Sequence, residues 1–286
     1  MSKSKSKIDA TSYDDIMQPL LGLVMIVKNE ARGIVETLAS VMPFVDRWTI
    51  LDTGSTDGTQ DLIRQHVGPD GQLFEEPFVD FATTRNRVLD LHGDATQFTI
   101  MLSGDDILVD GATLRAFLLA RRDALTEIYN VERQLGSDRF MTAIVQRTGT
   151  GWRYVGRTHE VVTKPGCFAT ERVAGVSVMR RSDGAPEAKQ ARWELDLTLL
   201  TEDLARDPYD TRAAFYLAQT YECLGRFREA LPVYERRIAM GGWREEVYEA
   251  LFRSARVMDA IGSPWAAVQD RYLRAHAFDP TRAEPL

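Results

Sequence analysis

Leu21-Gly22-Leu23-Val24-Met25-Ile26-Val27-Lys28-Asn29-Glu30, followed by Trp48-Thr49-Ile50-Leu51-Asp52-Thr53-Gly54-Ser55-Thr56-Asp57, decides the fold. The run Leu21 to Val27 is apolar without alternation, as a strand covered on both faces must be. It stops at three polar residues. Behind it Ala31, Ile34, Leu38 and Val41 recur at spacings of three and four, which predicts a helix that Pro43 ends. Trp48 to Leu51 is a second strand, closed by Asp52, and Gly54 and Gly58 mark the turn after it. Leu62, Ile63 and Val67 then suggest another helix. Phe98 to Leu102 is a further strand, ending in Ser103-Gly104-Asp105-Asp106. Strand and helix in strict alternation predict right-handed crossovers and a mostly parallel sheet.

Past residue 125 the pattern changes. Glu127 to Val131, Phe140 to Gln146 and Tyr154 to Thr163 are short and β-rich, and read as antiparallel strands added to the sheet edge. Ser182 to Gln190 is polar, carries Gly184 and Pro186, and marks a domain boundary. From Ala191 the chain is helical. Asp207-Pro208-Tyr209-Asp210-Thr211-Arg212-Ala213 returns in weaker form as Asp279-Pro280-Thr281-Arg282-Ala283, an offset of 72 residues or two units of 36. That period, with Ala214, Leu217, Ala218, Tyr221, Gly225, Ala230 and Tyr234 close to the pattern, points to tetratricopeptide-like repeats. A second, looser unit spans Val247 to Pro280, and the sequence stops where a third would begin, as a trimmed chain would. Two units are fewer than a free-standing solenoid needs, so they are expected to lean on the domain before them. The expected division is a flexible tail over 1–18, an α/β domain over 19–185 and a repeat domain over 190–286.

Bulk properties narrow the function classes. With 35 basic against 42 acidic residues, the net charge of −7 leaves no cationic excess for non-specific nucleic-acid binding. The longest apolar run, Leu20 to Val27, is too short to span a bilayer, and no leader with a small-residue cleavage site is evident, so the reading is a cytoplasmic protein. Two cysteines, Cys167 and Cys223, fall in different expected domains, which argues against a disulfide framework or zinc site.

In an open parallel sheet, ligands sit beyond the carboxyl ends of the strands. Lys28-Asn29-Glu30, Asp52 to Asp57 and Asp105-Asp106 all fall there. Any one cluster is ordinary turn chemistry; three at one edge are a site. At this point the chain resembles glycosyltransferase family 2, of the GT-A fold. The resemblance rests on Val24-Met25-Ile26-Val27-Lys28-Asn29-Glu30, Leu51-Asp52-Thr53-Gly54-Ser55-Thr56-Asp57-Gly58-Thr59, Phe81-Ala82-Thr83-Thr84-Arg85-Asn86, Leu102-Ser103-Gly104-Asp105-Asp106 and Gly156-Arg157-Thr158-His159-Glu160. It covers roughly residues 20 to 180, and some members of the family carry tetratricopeptide units after the catalytic domain.

The resemblance implies an α/β fold of GT-A type, with a mostly parallel, mixed sheet flanked by helices and then an all-α repeat domain. It also implies transfer of a hexose from a nucleotide sugar, UDP being the family's expectation, with inversion by a metal-assisted single displacement. Val27, Asn29, Glu30, Asp52, Ser55, Asp57, Arg85, Asn86 and Asp105 would line the nucleotide sugar. Asp52 would sit by the base or ribose, or else is a strand-end turn former. Asp57 either contacts the nucleotide or caps the following helix. Arg85 would pair with phosphate through its planar fork. Asp106 and His159 would hold Mn²⁺ or Mg²⁺, and Asp105 would contact the ribose or sugar. Ser103 stands where the family often has a further acid, which lowers the carboxylate count. Glu160 is the candidate base, or a partner of Arg157 or Arg153 in a structural ion pair. The acceptor would be a peptide, protein or glycan, and exposed repeat ends invite a homo-oligomer. Two other classes share some of these features. One is an inactive relic serving as a repeat-based binding module. The other is a nucleotidyltransferase, which Lys28-Asn29-Glu30 disfavours because it is not a glycine- and basic-rich phosphate loop.

Overall fold

The computed structural model describes residues 18–166, 168–181 and 186–286, without the side chains of 186–188. The expected tail over 1–18 lies, but for Gln18, outside the described residues, as do Cys167 and part of the expected boundary at Ser182 to Gln190. Two compact units emerge. One runs to Val155 and resumes at Glu160; the other joins Gly156–His159 to the helices that follow.

In the first unit the apolar run forms β1 (Leu21–Val27), with β2 (Arg47–Asp52) parallel on one side and β4 (Phe98–Leu102) parallel on the other. The register Val27↔Asp52 and Met25↔Leu102 brings the three carboxyl ends to one edge. Leu21, Leu23, Val24, Met25 and Ile50 are wholly buried, because α1 (Ile34–Val41), α2 (Thr59–His66) and α3 (Phe81–His92) cover the sheet. β3 (Gly71–Glu75) adds a parallel edge strand beside β2. Gly22 is needed where it stands: a Cβ there would lie 2.4 Å from the His92 ring. That imidazole is buried between the Thr49 and Thr96 hydroxyls, 2.9 and 2.8 Å away. It is a packing residue, and burial pushes it down to about 4.

Beyond β4 the sheet becomes mixed. β6 (Ile128–Leu135) and β7 (Asp138–Arg147) form a hairpin whose second strand pairs antiparallel with β4. β10 (Thr170–Arg180) lies parallel to β6, and β5 (Asp106–Val109) closes the edge antiparallel to β10. The order is β3-β2-β1-β4-β7-β6-β10-β5, an eight-stranded, mixed and mostly parallel sheet as expected. The stretch Tyr154 to Thr163, expected on the sheet edge, is instead a separate ribbon of β8 (Arg153–Val155) and β9 (Val161–Thr163). Its strands are three residues each and are separated by a segment that packs with the other unit. α4 (Gly111–Leu119) completes this unit, its N-terminus capped by Asp110.

The helical unit comprises α5 (Pro186–Arg206), α6 (Thr211–Cys223), α7 (Phe227–Met240), α8 (Arg244–Ala260) and α9 (Trp265–Phe278), each packed on the next. Asp210 caps α6 by accepting from the Ala213 amide at 2.9 Å. Gly225 turns the chain at φ 71°, a conformation that favours glycine. Ala214, Ala218, Ala230 and Tyr234 are fully buried at the helix contacts. Arg237 is also fully buried, its guanidinium donating to Glu246 Oε2 at 3.0 Å and to the Gly241 carbonyl at 2.6 Å. Among the described residues no helix is long and apolar enough to cross a membrane.

Candidate functional site

The loop after β1 and the loop after β2 are stitched together through their own polar residues. Asn29, held at φ 56°, donates its amide to Ser55 Oγ at 2.8 Å, and its Oδ1 accepts from the Thr56 amide at 2.8 Å. The Glu30 amide donates to Thr59 Oγ1 and the Ala31 amide to Asp57 Oδ2. Asp57 Oδ1 accepts from both the amide and the hydroxyl of Thr59, so Asp57 fastens the start of α2 and the Lys28 loop at once. Val27 accepts from the Thr53 amide at 2.9 Å, which continues the ladder one residue into the loop.

Asp52 is fully buried at the end of β2. Oδ1 accepts from the amides of Gly54 and Ser55 and from Gln60 Nε2, each at 2.9 Å. Burial pulls its carboxyl up, but the hydrogen bonds from Ser55, Gln60 and Gly54 outweigh this and hold it below the ordinary carboxylate value. Oδ2 has no hydrogen-bond partner, a costly condition for a buried carboxylate oxygen and one that a ligand donor would relieve.

At the neighbouring strand end Gly104 admits Glu30. A Cβ on Gly104 would fall 2.5 Å from Glu30 Cγ and 2.9 Å from its Cβ, and Thr37 Oγ1 holds the Gly104 carbonyl at 2.8 Å. Glu30 is therefore pressed against the Ser103-Gly104-Asp105-Asp106 turn. Burial first, and then the charge of Asp105, push its carboxyl up to about 7; Asp57 and Asp106 add to the rise, while Arg180 opposes it. Asp105 is raised too, by burial and then by Asp106, against the pull of Arg180 and Arg133. Its side chain remains 37% exposed.

Asp106, expected at the metal, has its carboxylate committed elsewhere. The first residue of β5, it is wholly buried, and Arg133 on β6 grips it in a two-pronged pair, Nη1 to Oδ1 at 2.7 Å and Nη2 to Oδ2 at 3.0 Å. Oδ2 also accepts from the Ser103 amide at 2.8 Å. With both oxygens engaged by a fork and an amide, Asp106 anchors the turn, and the neighbouring carboxylates without such a clamp are Asp105 and Glu30. A divalent cation bound with a diphosphate needs only one or two protein carboxylates, the remaining positions being phosphate oxygens and water. Asp105 with Glu30 fits that requirement, because burial raises both carboxyls and a cation would favour their ionised forms. Among the described residues no group of three or more His, Cys, Asp or Glu side chains is gathered for a metal.

His159, also expected at the metal, belongs to the helical unit. Its ring stacks on Tyr216 at 3.9 Å and 7°, and its carbonyl accepts from Arg212 Nη2 at 2.8 Å. The segment leading to it is bound the same way, Thr158 Oγ1 donating to Asp196 and Arg157 pairing with Glu202 and Asp203. Arg153 pairs with Asp90. Glu160 faces Arg85 instead, Oε1 to Nε at 2.5 Å, with both side chains about 14% exposed. Arg85 also lies over the Tyr154 ring, 5.6 Å from its centre. Asn86, one residue along α3, clamps the backbone of Tyr154 in both directions at 2.8 Å, and so pins β8 to α3.

Gly104, Gln60, Arg133 and Arg180 were not singled out by sequence reading. A hollow of about 440 Å³ around Asp90, Asp94, Thr99 and the 147–153 loop contains none of the expected nucleotide-sugar, metal or catalytic residues and lies toward the amino end of β4.

No family model matches the chain, and no curated protein matches it. Solved structures do, at low identity. A mannosyltransferase from Pyrobaculum calidifontis, in complex with GDP-Man and Mn²⁺, is 15% identical with a TM-score of 0.46, covering 93% of this chain and 82% of its own. TarS residues 1–349 from S. aureus is 12% identical with a TM-score of 0.41, over 91% and 88%. Glucosyl-3-phosphoglycerate synthase from Mycobacterium tuberculosis, with Mn²⁺, UDP and glucosyl-3-phosphoglycerate, is 16% identical with a TM-score of 0.33, over 41% of this chain. This chain spans 45% of that synthase's length.

Proposed function

We propose that the chain is a nucleotide-sugar-dependent glycosyltransferase of GT-A type that moves a hexose by a single, inverting displacement. One observation carries the reading: the loops after three parallel strands converge at one sheet edge on Glu30, Asp57, Asp105 and Asp106, where Glu30 and Asp105 resist ionisation. A charge-poor ligand gains nothing there. A diphosphate accompanied by a divalent cation does, because the cation satisfies carboxylates and phosphate together.

In this reading Asp52 receives the base or ribose, Oδ2 taking the donor it lacks. Val27, Asn29, Ser55 and Asp57 shape the two loops around the nucleoside. Mn²⁺ or Mg²⁺ would be held by Asp105 with Glu30 beside it, and when bound supplies charge for the departing diphosphate. The acceptor's nucleophile attacks the anomeric carbon as the bond from that carbon to the diphosphate oxygen breaks. The electron pair leaves with the diphosphate, and the acceptor's proton passes to Glu160, which Arg85 holds in place. UDP is the preferred nucleotide in this reading. The helical unit, read as tetratricopeptide-like repeats, recruits a peptide, protein or glycan acceptor.

Calorimetric titration of UDP, GDP and UDP-glucose into the full chain, with and without Mn²⁺, tests the reading, alongside Asp52→Ala and Asp105→Ala. Binding that needs the cation and is lost in both variants is expected. No binding of any nucleotide under either condition would refute it and shift the weight to a repeat-based protein-binding module.

A further inference from the structure

Arg85, Arg133 and Arg180 border the carboxylates of the candidate site, and they are held to different degrees. Arg85 gives its Nε to Glu160 and lies over Tyr154, and Arg133 closes both prongs of its fork on Asp106; their side chains are 14% and 13% exposed. Arg180 is held differently. It is the last residue of β10, directly across from Asp106 in the β10–β5 register, and 38% of its side chain is exposed. Its contacts are loose. Nε stands 3.4 Å from Asp105 Oδ2 and 3.6 Å from Asp106 Oδ1, and Nη2 reaches Ser103 Oγ at 3.4 Å. Nε is buried and makes no hydrogen bond.

An arginine held near two carboxylates at ion-pair distance, without one well-formed hydrogen bond, has donors to give to another anion. We propose that Arg180 is the group that takes the diphosphate of the nucleotide sugar, a role that rests on the glycosyltransferase reading above. Three observations point this way. The side chain stands at the carboxyl edge where the loops converge. A cation on Asp105 would leave Arg180 as the positive charge beside it, so one diphosphate could bridge the two. The planar fork matches two phosphate oxygens at once, which the 3.4 Å contacts to Asp105 and Ser103 do not exploit. The sequence reading gave this role to Arg85, whose Nε is taken by Glu160.

The test separates phosphate recognition from nucleoside recognition. Wild type, Arg180→Gln and Arg180→Lys are titrated with UDP, UMP and uridine in Mn²⁺, and with the guanine series if GDP is the nucleotide that binds. A lost charge-assisted pair is worth a decrease of roughly tenfold to a hundredfold in affinity. Arg180→Gln is expected to lose that much for the diphosphate, clearly less for the monophosphate and nothing for the nucleoside. Arg180→Lys, which keeps the charge without the fork, should recover part of it, and it carries the test if the Gln variant unfolds at lower temperature. Equal diphosphate affinity in wild type and both variants overturns the assignment of Arg180 alone. So does an equal loss for all three ligands, which would mark a structural role. Wild type binding neither UDP nor GDP overturns the underlying reading instead.

Discussion

Arg133→Met removes the fork from Asp106 while leaving an aliphatic stem of similar length. Asp106 is wholly buried and Arg133 is 13% exposed, so the substitution strands a carboxylate out of water with the Ser103 amide and the distant Arg180 as its remaining company. Breaking a buried pair from one side costs about 3–5 kcal/mol. Arg180 at 3.6 Å and the partial exposure of Arg133 argue for the lower end, about 3 kcal/mol. In a unit of this size that corresponds to a melting temperature lower by roughly 6–12 °C. The companion variant, Arg133→Met with Asp106→Asn, takes away the stranded charge but keeps an oxygen for the Ser103 amide. It should regain at least half of the loss, since removing both members of a buried pair is far less costly than removing one. Urea unfolding of wild type, Arg133→Met, Asp106→Asn and the double variant at pH 7 gives the cycle. If Arg133→Met costs under about 0.5 kcal/mol, as an exposed pair would, the reading of Asp106 as a sequestered anchor is wrong. A double variant no more stable than the single would refute it as well.

Gly104→Ala should drive Glu30 out of its place, since the new methyl would meet Glu30 Cγ at 2.5 Å; we expect a loss of about 1–3 kcal/mol and weaker nucleotide binding, read by thermal unfolding and calorimetry. An unchanged melting temperature would show that Glu30 can step aside without cost. His92 sits at about 4 when folded, against an ordinary value of 6.5, so the folded protein binds fewer protons than the unfolded chain in between. Its contribution is intact above pH 6.5 and is lost as pH falls toward 4, at most about 3 kcal/mol. His92→Asn should flatten that acid limb in urea unfolding, and parallel curves for the two proteins would contradict the assignment. Glu160→Gln should leave nucleotide affinity in place while lowering turnover by about 10²–10⁴, the range of a lost general base; turnover within a few-fold of wild type would confine Glu160 to pairing with Arg85.

The parallel core and the edge where it ends were legible because each clue was local. An apolar run with no alternation must be covered on both faces, and Leu21 to Val27 is β1 to the residue. Asp52, Glu30 and Asp105 could be grouped because parallel neighbours bring their carboxyl ends to the same side. β5 was not legible: Asp106-Ile107-Leu108-Val109 is four residues long and reads as the far side of a turn. Its pairing is with Met179 and its neighbours, about seventy positions away, and nothing local announces such a partner. His159 and Glu160 were read as one pair because they adjoin in sequence. Yet a boundary between compact units falls between them, and His159 at φ 49° turns its ring onto Tyr216.

What sequence left undecided at the candidate site has a physical cause. The acids of the candidate site lie in loops among glycine, serine and threonine, where a polar residue stands out. The cations that decide what each acid can do lie inside strands: Arg133 in Ile128–Leu135 and Arg180 closing Thr170–Arg180. In a strand, a charged residue at alternate positions looks like a solvent face. Here Val131 and Val178 on the same face as Arg133 and Arg180 are wholly buried, so the alternation points inward and the charge comes with it. Asp106 and Asp105 are adjacent, chemically alike and equally eligible to meet a cation when read from sequence. What separates them is that Asp106 faces Arg133 squarely while Asp105 stands half in solvent beside Arg180. The division of labour between two neighbouring carboxylates is thus set by strands that enter the sheet long after the loop that bears them.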